Sequence, residues 1–328
     1  MKPSSLNHHR AYNKLIRVWL KDVFHFASKL DRKRLVRRPC PACGAKRSTF
    51  YADNGALDYS RCSACSLVFM NPTFPPGAVE KGFRGEDKLL RRYFDIMRRF
   101  KTAPAPKPDP RTDGKLRDVY ALKKSGRLLD VGCSVGDFLR KASFFYDVEG
   151  LEVNPRTAAI AAKSFKVHRG TLDELRLPPV YDVVTLHQIL YGVRDPLALL
   201  RGCRDVLKKD GLLYVNTPNA DSVAMKLYKG SANHLYGYTT QQVFNRKSLT
   251  ALAKRAGLRL VAFRTEWLDV YIQDVVEFRS HPERFIHKRN SHLPGYEDAI
   301  REEDAMHARR GLSLGDGGNY LVAILKRA

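Results

Sequence analysis

The stretch Leu-Leu-Asp-Val-Gly-Cys-Ser-Val-Gly-Asp-Phe-Leu, residues 128–139, constrains the fold of this chain more than any other. Residues 128–131 predict a short buried strand, and residues 132–136 predict a tight turn before a helix that begins near Asp137. Glycine suits such a turn because a Cβ would obstruct the sharp bend and the approach of a ligand. A dinucleotide-binding turn carries three glycines, whereas this turn has Ser134 and Asp137 at the second and third positions. The pattern therefore predicts a nucleotide-binding strand, turn and helix, and disfavours NAD.

A second acidic residue follows this turn. Residues 145–152 predict the next strand, and Glu152 at its end lies about 20 residues after the turn, where such folds place a carboxylate for ribose hydroxyls. Asp130-x-Gly132-x-Ser134-x-Gly136 together with Glu152 resembles the first motifs of class I S-adenosylmethionine-dependent methyltransferases, which usually have glycine where Ser134 stands. The resemblance implies an α/β fold with a Rossmann-like, seven-stranded sheet and S-adenosylmethionine as the cofactor.

Strand and helix patterns alternate after residue 126, which predicts a mainly parallel sheet. The expected strands cover residues 128–131, 148–152, 166–169, 181–186, 211–216, 258–264 and 320–326. Seven strands suit the methyltransferase sheet, in which the resemblance implies that the last strand is inserted antiparallel. Residues 268–314 are too many for a simple connection and contain two helical patterns, so we expect an inserted helical cap before the last strand.

The resemblance also implies which residues hold the cofactor, since ligands of such sheets lie beyond the carboxyl ends of the strands. Thr171 and Leu172 would flank the adenine, and the segment that begins at Leu186 would lie beside the methionine moiety. The expected cofactor-binding residues are Asp130, Gly132, Cys133, Ser134, Gly136, Glu152, Thr171, Leu172 and Leu186.

Four of the six cysteines form two pairs, Cys40-Pro-Ala-Cys43 and Cys62-Ser-Ala-Cys65. Their separation is typical of two knuckles that close on one zinc ion, with short strands between them. The sequence therefore predicts a zinc ribbon in which Cys40, Cys43, Cys62 and Cys65 are the metal ligands. Four thiolates leave no open coordination position, so we expect a structural rather than a catalytic Zn²⁺.

The residues after the second cysteine pair carry a narrower resemblance. Arg61-Cys-x-x-Cys65-x-Leu67-Val68-Phe69-x-Asn71-Pro72 is similar to the sequence that follows the ribbon in a family of bacterial methyltransferases often associated with polysaccharide or secondary-metabolite pathways. The similarity covers about residues 40–262 and the final strand, and it departs from the family at Ser66, where glycine is usual. It implies a small-molecule or saccharide acceptor, which could be linked to a nucleotide or a lipid.

The chain divides into four predicted regions. Residues 1–38 are a basic, amphipathic helical N-terminus, 39–72 the zinc ribbon, 73–125 a basic helical connector with a proline-rich linker, and 126–328 the methyltransferase domain. The formal net charge is +24, and residues 1–125 carry 28 Lys and Arg against 11 Asp and Glu. This basic region is expected to attract anions, which include an acidic membrane surface, a nucleic acid and a phosphorylated substrate.

The amphipathic pattern at residues 15–30 has two readings: a helix packed on the protein's own core, or a helix that lies on a membrane surface through Trp19 and Phe26. No apolar run reaches the roughly 18 residues that cross a bilayer, and the first residues lack a signal-peptide pattern. We therefore expect a cytoplasmic protein, with peripheral contact to the inner membrane face as the alternative.

The catalytic residues are less well defined. Members of the family commonly have Glu-His just after the position of Leu190, but this chain has Tyr191-Gly192. Methyl transfer requires a base only where the acceptor loses a proton. His234, in a loop that resembles the one before a helix over the acceptor pocket, and His187, after the fourth strand, are the expected catalytic residues; structural roles are the alternative. Tyr191 is a third candidate that could equally be a pocket wall.

These patterns predict an S-adenosylmethionine-dependent methyltransferase with a zinc ribbon, acting on a small molecule or a saccharide. Two alternatives stay open. One is an RNA methyltransferase that uses the basic N-terminal region for phosphate contacts. The other is a non-catalytic binding protein that retains the fold, which the missing Glu-His pair and Ser134 would allow. The sequence does not indicate an oligomeric state.

Overall fold

The computed structural model describes residues 32–54, 57–86, 91–92, 95, 107–108, 113–222, 225–226, 229–232, 234–235, 239–266 and 318–328. The predicted helix at residues 15–30, most of the proline-rich linker and the whole predicted cap at 268–314 lie outside these residues. Within the described part of the chain, no helix has the length and apolarity needed to cross a membrane.

Short helices alternate with strands through most of the described chain. In chain order the elements are β1 (Ser48–Asp53), β2 (Asp58–Cys62), β3 (Val68–Met70), α1 (Ala78–Phe83), α2 (Arg117–Leu122), β4 (Arg127–Val131), α3 (Asp137–Ala142), β5 (Asp147–Glu152), α4 (Pro155–Ala161), β6 (Lys166–Arg169), α5 (Leu172–Leu175), β7 (Tyr181–His187), α6 (Pro196–Val206), β8 (Leu207–Pro218), β9 (Gln242–Val243), α7 (Arg246–Arg255), β10 (Leu258–Glu266) and β11 (Tyr320–Arg327).

The larger sheet has seven strands in the order β10-β11-β8-β7-β4-β5-β6. Strands β4 to β8 pair in parallel, whereas β11 is antiparallel to both of its neighbours, β8 and β10. All seven predicted strands form, and the antiparallel insertion of the last one is confirmed. The carboxyl ends of the parallel strands therefore meet at one edge, which we call the carboxyl edge; the other is the amino edge.

A smaller sheet of four strands, in the order β1-β2-β3-β9, contains the segment between the cysteine pairs. Its fourth strand comes from far along the chain, because Val68 and Phe69 pair with Val243 and Gln242. No strand is predicted at 242–243, since a two-residue strand has no periodicity to detect. The pairing joins the cysteine-containing segment directly to the part of the chain that forms the larger sheet.

One hydrophobic core serves both sheets. Cys62, Leu67 and Phe69 of the cysteine-containing segment belong to the same buried cluster as Leu129 and Leu186 of the central strands. A second cluster covers the other face of the larger sheet with side chains from α2, α3, β7 and β8. Central parallel strands are covered on both faces, which explains why nearly every residue of β4 and β7 is buried.

Side-chain caps fix the starts of several helices that follow the carboxyl edge. Asn154 accepts the backbone N–H groups of Arg156 and Thr157 at the start of α4. Thr171 forms a reciprocal capping box with Glu174 at the start of α5. Such caps stabilise a helix by about 1 kcal/mol and define where the chain turns away from the sheet.

Candidate functional site

The glycine-containing turn forms at the carboxyl edge as the sequence predicts. Gly132, Ser134 and Gly136 have φ angles of 78°, 52° and 79°, in the left-handed region. A Cβ on Gly132 would lie 2.3 Å from Cδ1 of Ile189, so that position has room only for glycine unless Ile189 moves. Serine at position 134 adopts the conformation that the family's glycine usually supplies, at a cost of about 1 kcal/mol for an L-residue. The serine therefore does not prevent the turn.

Glu152, the last residue of β5, fixes this turn from the adjacent strand. Its Oε2 accepts the backbone N–H of Ser134 at 2.8 Å, and its Oε1 accepts the N–H of Asn154 at 2.7 Å. The side chain is buried, and burial raises the pKa of its carboxyl even though both N–H groups favour the charged form. A carboxylate thus lies beside the glycine turn, as the resemblance implies for ribose binding.

Asp130 lies beneath the turn in the central strand β4. Its side chain is 3% exposed, and its Oδ1 accepts a hydrogen bond from the Thr185 hydroxyl at 2.8 Å. Burial raises the pKa of this carboxyl to about 7. A buried acid that titrates near neutrality is more typical of a functional site than of a structural ion pair.

Three expected cofactor-binding residues have side chains in the core. A Cβ on Gly150 would lie 2.6 Å from Sγ of Cys133, and a Cβ on Gly202 would lie 2.9 Å from Cβ of Leu172. Leu186 is fully buried within β7. Any contact of these residues with a ligand at the edge would therefore come from their backbone atoms. Thr171 uses its hydroxyl to cap α5.

The three expected catalytic residues lie in different environments. The His187 ring lies against the Phe138 ring, with ring centroids 4.2 Å apart. His234 is 2% exposed and packs edge-on against Tyr320. Burial lowers the pKa of His234 to about 3, which weighs against a general base at neutral pH. Tyr191 is half-buried, and its backbone carbonyl accepts the N–H groups of residues 241 and 242. Their catalytic roles stay predictions.

A chain of polar side chains crosses the ends of β7, β8 and β10. Gln188, with a left-handed φ of 59°, donates from Nε2 to Oδ1 of Asn216. Asn216 Nδ2 donates to Oε1 of Glu266 at 2.7 Å, and Arg264 Nη1 donates to Oε2 of Glu266 at 2.8 Å. Glu266 is not predicted from the sequence, because β10 continues two residues past its predicted end.

The four cysteines of the predicted ribbon come together. Their sulfur atoms all lie within 4.8 Å of one another, with 3.5 Å between Cys40 and Cys65 and between Cys43 and Cys62. None forms a disulfide. Four sulfur atoms on a tetrahedral zinc ion, with Zn–S bonds of about 2.3 Å, lie roughly 3.8 Å apart. The cluster therefore fits one tetrahedral metal ion.

The comparison with protein families agrees with this geometry. Residues 102–262 match the family model described as a methyltransferase domain. Residues 102–262 therefore have the sequence pattern of a methyltransferase domain, and the strand order is that of a Rossmann-like sheet with an antiparallel last strand. The predicted methyltransferase fold is therefore confirmed, while the ribbon and the pathway association are not addressed by the family match.

Ubiquinone biosynthesis O-methyltransferases are similar to part of this chain. The ubiquinone biosynthesis O-methyltransferase of Neisseria meningitidis serogroup C is 26% identical over 151 residues, 42% of this chain and 63% of the relative. That of Yersinia enterocolitica is 30% identical over 152 residues, 42% of this chain and 60% of the relative. The chain thus spans less than two thirds of the length of these relatives. A solved S-adenosylmethionine-dependent methyltransferase from Archaeoglobus fulgidus aligns with 71% of this chain and 99% of its own, at 18% identity and a TM-score of 0.46.

Proposed function

We propose that this protein transfers a methyl group from S-adenosylmethionine to a small-molecule or saccharide acceptor. The observation that carries the proposal is the Glu152 carboxylate, which is hydrogen-bonded to Ser134 of the glycine turn within a methyltransferase domain. When bound, the sulfonium of this cofactor supplies an electrophilic methyl group. The chain's own task is then to orient the acceptor in line with that group and to exclude water.

Different residues at the carboxyl edge would bind different parts of the cofactor. The left-handed turn favours glycine at positions 132 and 136, where a side chain would meet Ile189 or Phe165. Glu152 would accept hydrogen bonds from the ribose hydroxyls, and Asp130 would hold the base of the turn. These assignments use the chemistry that the buried carboxylates offer, which is strong hydrogen-bond acceptance at a site shielded from solvent.

The acceptor would enter at the ends of β7, β8 and β10, beside the hydrogen-bonded side chains of Gln188, Asn216 and Glu266. Amide and carboxylate groups suit a hydroxylated acceptor, and the curated relatives are named as O-methyltransferases. An acceptor hydroxyl must lose its proton. His187, His234 and Tyr191 are the proposed bases from the sequence, and of these the buried His234 fits that role least well.

We propose that Cys40, Cys43, Cys62 and Cys65 hold a structural zinc ion. The contact with the Cys65 thiol lowers the pKa of Cys40, and the thiolate is the form of cysteine that binds a metal ion. Elemental analysis of protein purified without chelators should find one zinc per chain. A stoichiometry near zero would contradict the zinc site and leave the methyltransferase proposal intact.

Calorimetry with S-adenosylhomocysteine tests the cofactor site. Glu152→Gln should weaken binding by roughly tenfold or more, because it replaces one carboxylate acceptor with an amide donor. The matched control is Asp147→Asn at the other end of β5, which should change the affinity by less than about twofold because it lies at the amino edge. Gly132→Val is less informative, since its Cβ would meet Ile189 even without a ligand. Parental affinity in folded Glu152→Gln would overturn the assignment.

The acceptor class is tested by methyl transfer from labelled S-adenosylmethionine into fractionated cell extract. The proposal predicts label in the small-molecule or saccharide fraction. Label confined to RNA would establish the alternative in which the basic N-terminal region binds nucleic acid. Tight binding of S-adenosylhomocysteine with no label in any fraction would identify a non-catalytic binding protein.

A further inference from the structure

Gln242 connects the smaller sheet to the loop that follows β7. It pairs with Phe69 of β3 and is fully buried. Its Nε2 donates to the carbonyl of Leu190 at 2.9 Å and to that of Val193 at 2.6 Å, while its backbone N–H donates to the carbonyl of Tyr191 at 3.1 Å. One residue therefore holds three carbonyls of a single loop.

Arg38 holds the other end of the same amide. Its Nη2 donates to Oε1 of Gln242 at 3.1 Å, and its Nη1 donates to the carbonyl of Arg194 at 2.9 Å. Arg38 lies two residues before Cys40, at the start of the cysteine-containing segment. The amide of Gln242 is thus fixed between that segment and the loop. Both N–H groups of its Nε2 can be satisfied by the two loop carbonyls, without water.

This loop touches the glycine turn. The side chain of Ile189 lies so close to Gly132 that a Cβ there would be 2.3 Å from its Cδ1. The loop starts at Gln188 in a left-handed conformation, which persists only where neighbouring contacts hold it. A shift of the loop would therefore move Ile189 relative to the turn that is proposed to bind the cofactor.

The cysteine cluster is joined to β3 by a short turn. Cys62 ends β2, and its N–H donates to the carbonyl of Leu67 at 2.9 Å, just before β3 begins. Arg255 of α7 donates to the carbonyl of Ala42 at 2.8 Å on the other side of the cluster. Folding of small metal modules depends on the bound ion. The ion would therefore fix β3, and the pairing of β3 with β9 would fix Gln242.

We propose that Gln242 is a positioning residue that couples the metal state of the four cysteines to cofactor affinity. Metal binding orders β3, Gln242 then holds residues 190–193, and Ile189 is held against the glycine turn. This inference rests on the proposed function for its affinity readout, and on the metal site for its first step.

The first test compares two neighbouring glutamines. Gln242→Leu removes the three side-chain hydrogen bonds at similar volume and should weaken S-adenosylhomocysteine binding by roughly tenfold or more in calorimetry. Gln241→Leu is the matched control: Gln241 is equally buried, but its side-chain Oε1 accepts from the Thr73 hydroxyl. The control should lose stability and keep the affinity within about twofold, because a lost bond at Thr73 leaves the loop in place.

The second test removes the metal. Chelation of the full-length parent should weaken S-adenosylhomocysteine binding, and added zinc should restore it, whereas Gln242→Leu should bind equally weakly in both states. Hydrogen exchange supplies a readout that needs no ligand: the Gly192 amide, which donates to the Ile189 carbonyl, should exchange faster after chelation and in Gln242→Leu.

The outcomes separate this inference from the proposed function. A parent that fails to bind S-adenosylhomocysteine contradicts the function, while exchange at Gly192 still reports the coupling. Folded Gln242→Leu with parental affinity and parental exchange at Gly192 would overturn the coupling alone. So would a chelation effect of equal size in the parent and in Gln242→Leu.

Discussion

Two glutamates on β5, three residues apart, show how differently the two edges of the larger sheet are built. Near the amino edge, Glu149 binds Nη2 of Arg127 at 2.5 Å, Nε2 of His168 at 2.6 Å and the Tyr181 hydroxyl at 2.9 Å. Burial alone would raise its pKa, but these hydrogen bonds and Lys166 outweigh burial and lower the pKa to about 2. At the carboxyl edge, burial raises the pKa of Glu152.

The opposite pKa shifts of Glu149 and Glu152 indicate that the amino edge is the one that stabilises the fold. The carboxylate of Glu149 is matched by four donors and is held charged, so its contacts stabilise the fold. Asp130 and Glu152 are buried with fewer donors, and the adjacent backbone is left-handed at Ser134 and Gln188. Unfavourable burial and strain are tolerated where function requires them. We therefore expect isosteric substitutions at the two edges to change stability in opposite directions.

The largest effect is expected for Glu149→Gln. The neutral amide cannot accept from all four donors, so the free energy of unfolding should fall by about 3 kcal/mol in urea denaturation. The folded pKa lies below the ordinary value of 4.5, so this stabilisation is present above pH 4.5 and is lost as the pH falls towards 2. Parent and variant should therefore converge in acid. A fall in the free energy of unfolding of less than about 1 kcal/mol at pH 7 would contradict the stabilising role proposed for the amino edge.

Asp130→Asn is expected to raise the free energy of unfolding rather than lower it. Its folded pKa of about 7 lies above the ordinary 3.8, so the parent loses stability as the pH rises from 3.8 to 7. The amide carries no charge, and the variant should be more stable than the parent by about 2 kcal/mol at pH 8 and equal to it near pH 4. Binding of S-adenosylhomocysteine should weaken at the same time. Equal urea midpoints at pH 8 would contradict the prediction.

The sequence predicts the strands of the larger sheet better than the side-chain contacts at the ends of those strands. Alternation of apolar strands and helices gives all seven strands, because those strands are long enough to show a pattern. The Glu149 cluster is not predicted, since Arg127, His168 and Tyr181 lie in three other strands and meet only once the sheet has formed. The contact of Gln242 with residues 190–193 is hidden for the same reason.

At the proposed site itself, the sequence predicts the turn and the second acid, but not which way the neighbouring side chains face. The substitution of glycine by serine at position 134 weakens the motif as a pattern, yet the backbone there keeps the conformation that glycine favours. Cys133, Leu172 and Leu186 stay predicted cofactor-binding residues, and their side chains are buried in the core. Motif spacing predicts where the backbone runs, and packing decides which side chains reach a ligand.

The smallest change in stability is expected for Ser134→Gly. This variant tests whether left-handed backbone strain contributes to the difference between the carboxyl edge and the amino edge. Ser134 and Ser66, with φ angles of 52° and 61°, both stand where the resembling families usually have glycine. Replacing either should relieve about 1 kcal/mol of left-handed strain, offset in part by the greater freedom of glycine in the unfolded chain. We therefore expect a net gain of roughly 0.5 kcal/mol at each position in urea denaturation. The backbone N–H of residue 134 still reaches Glu152, so affinity for S-adenosylhomocysteine should stay within about twofold. If Ser66→Gly gains stability and Ser134→Gly does not, the Ser134 side chain itself contributes at the carboxyl edge, and strain there would not explain the difference between the edges.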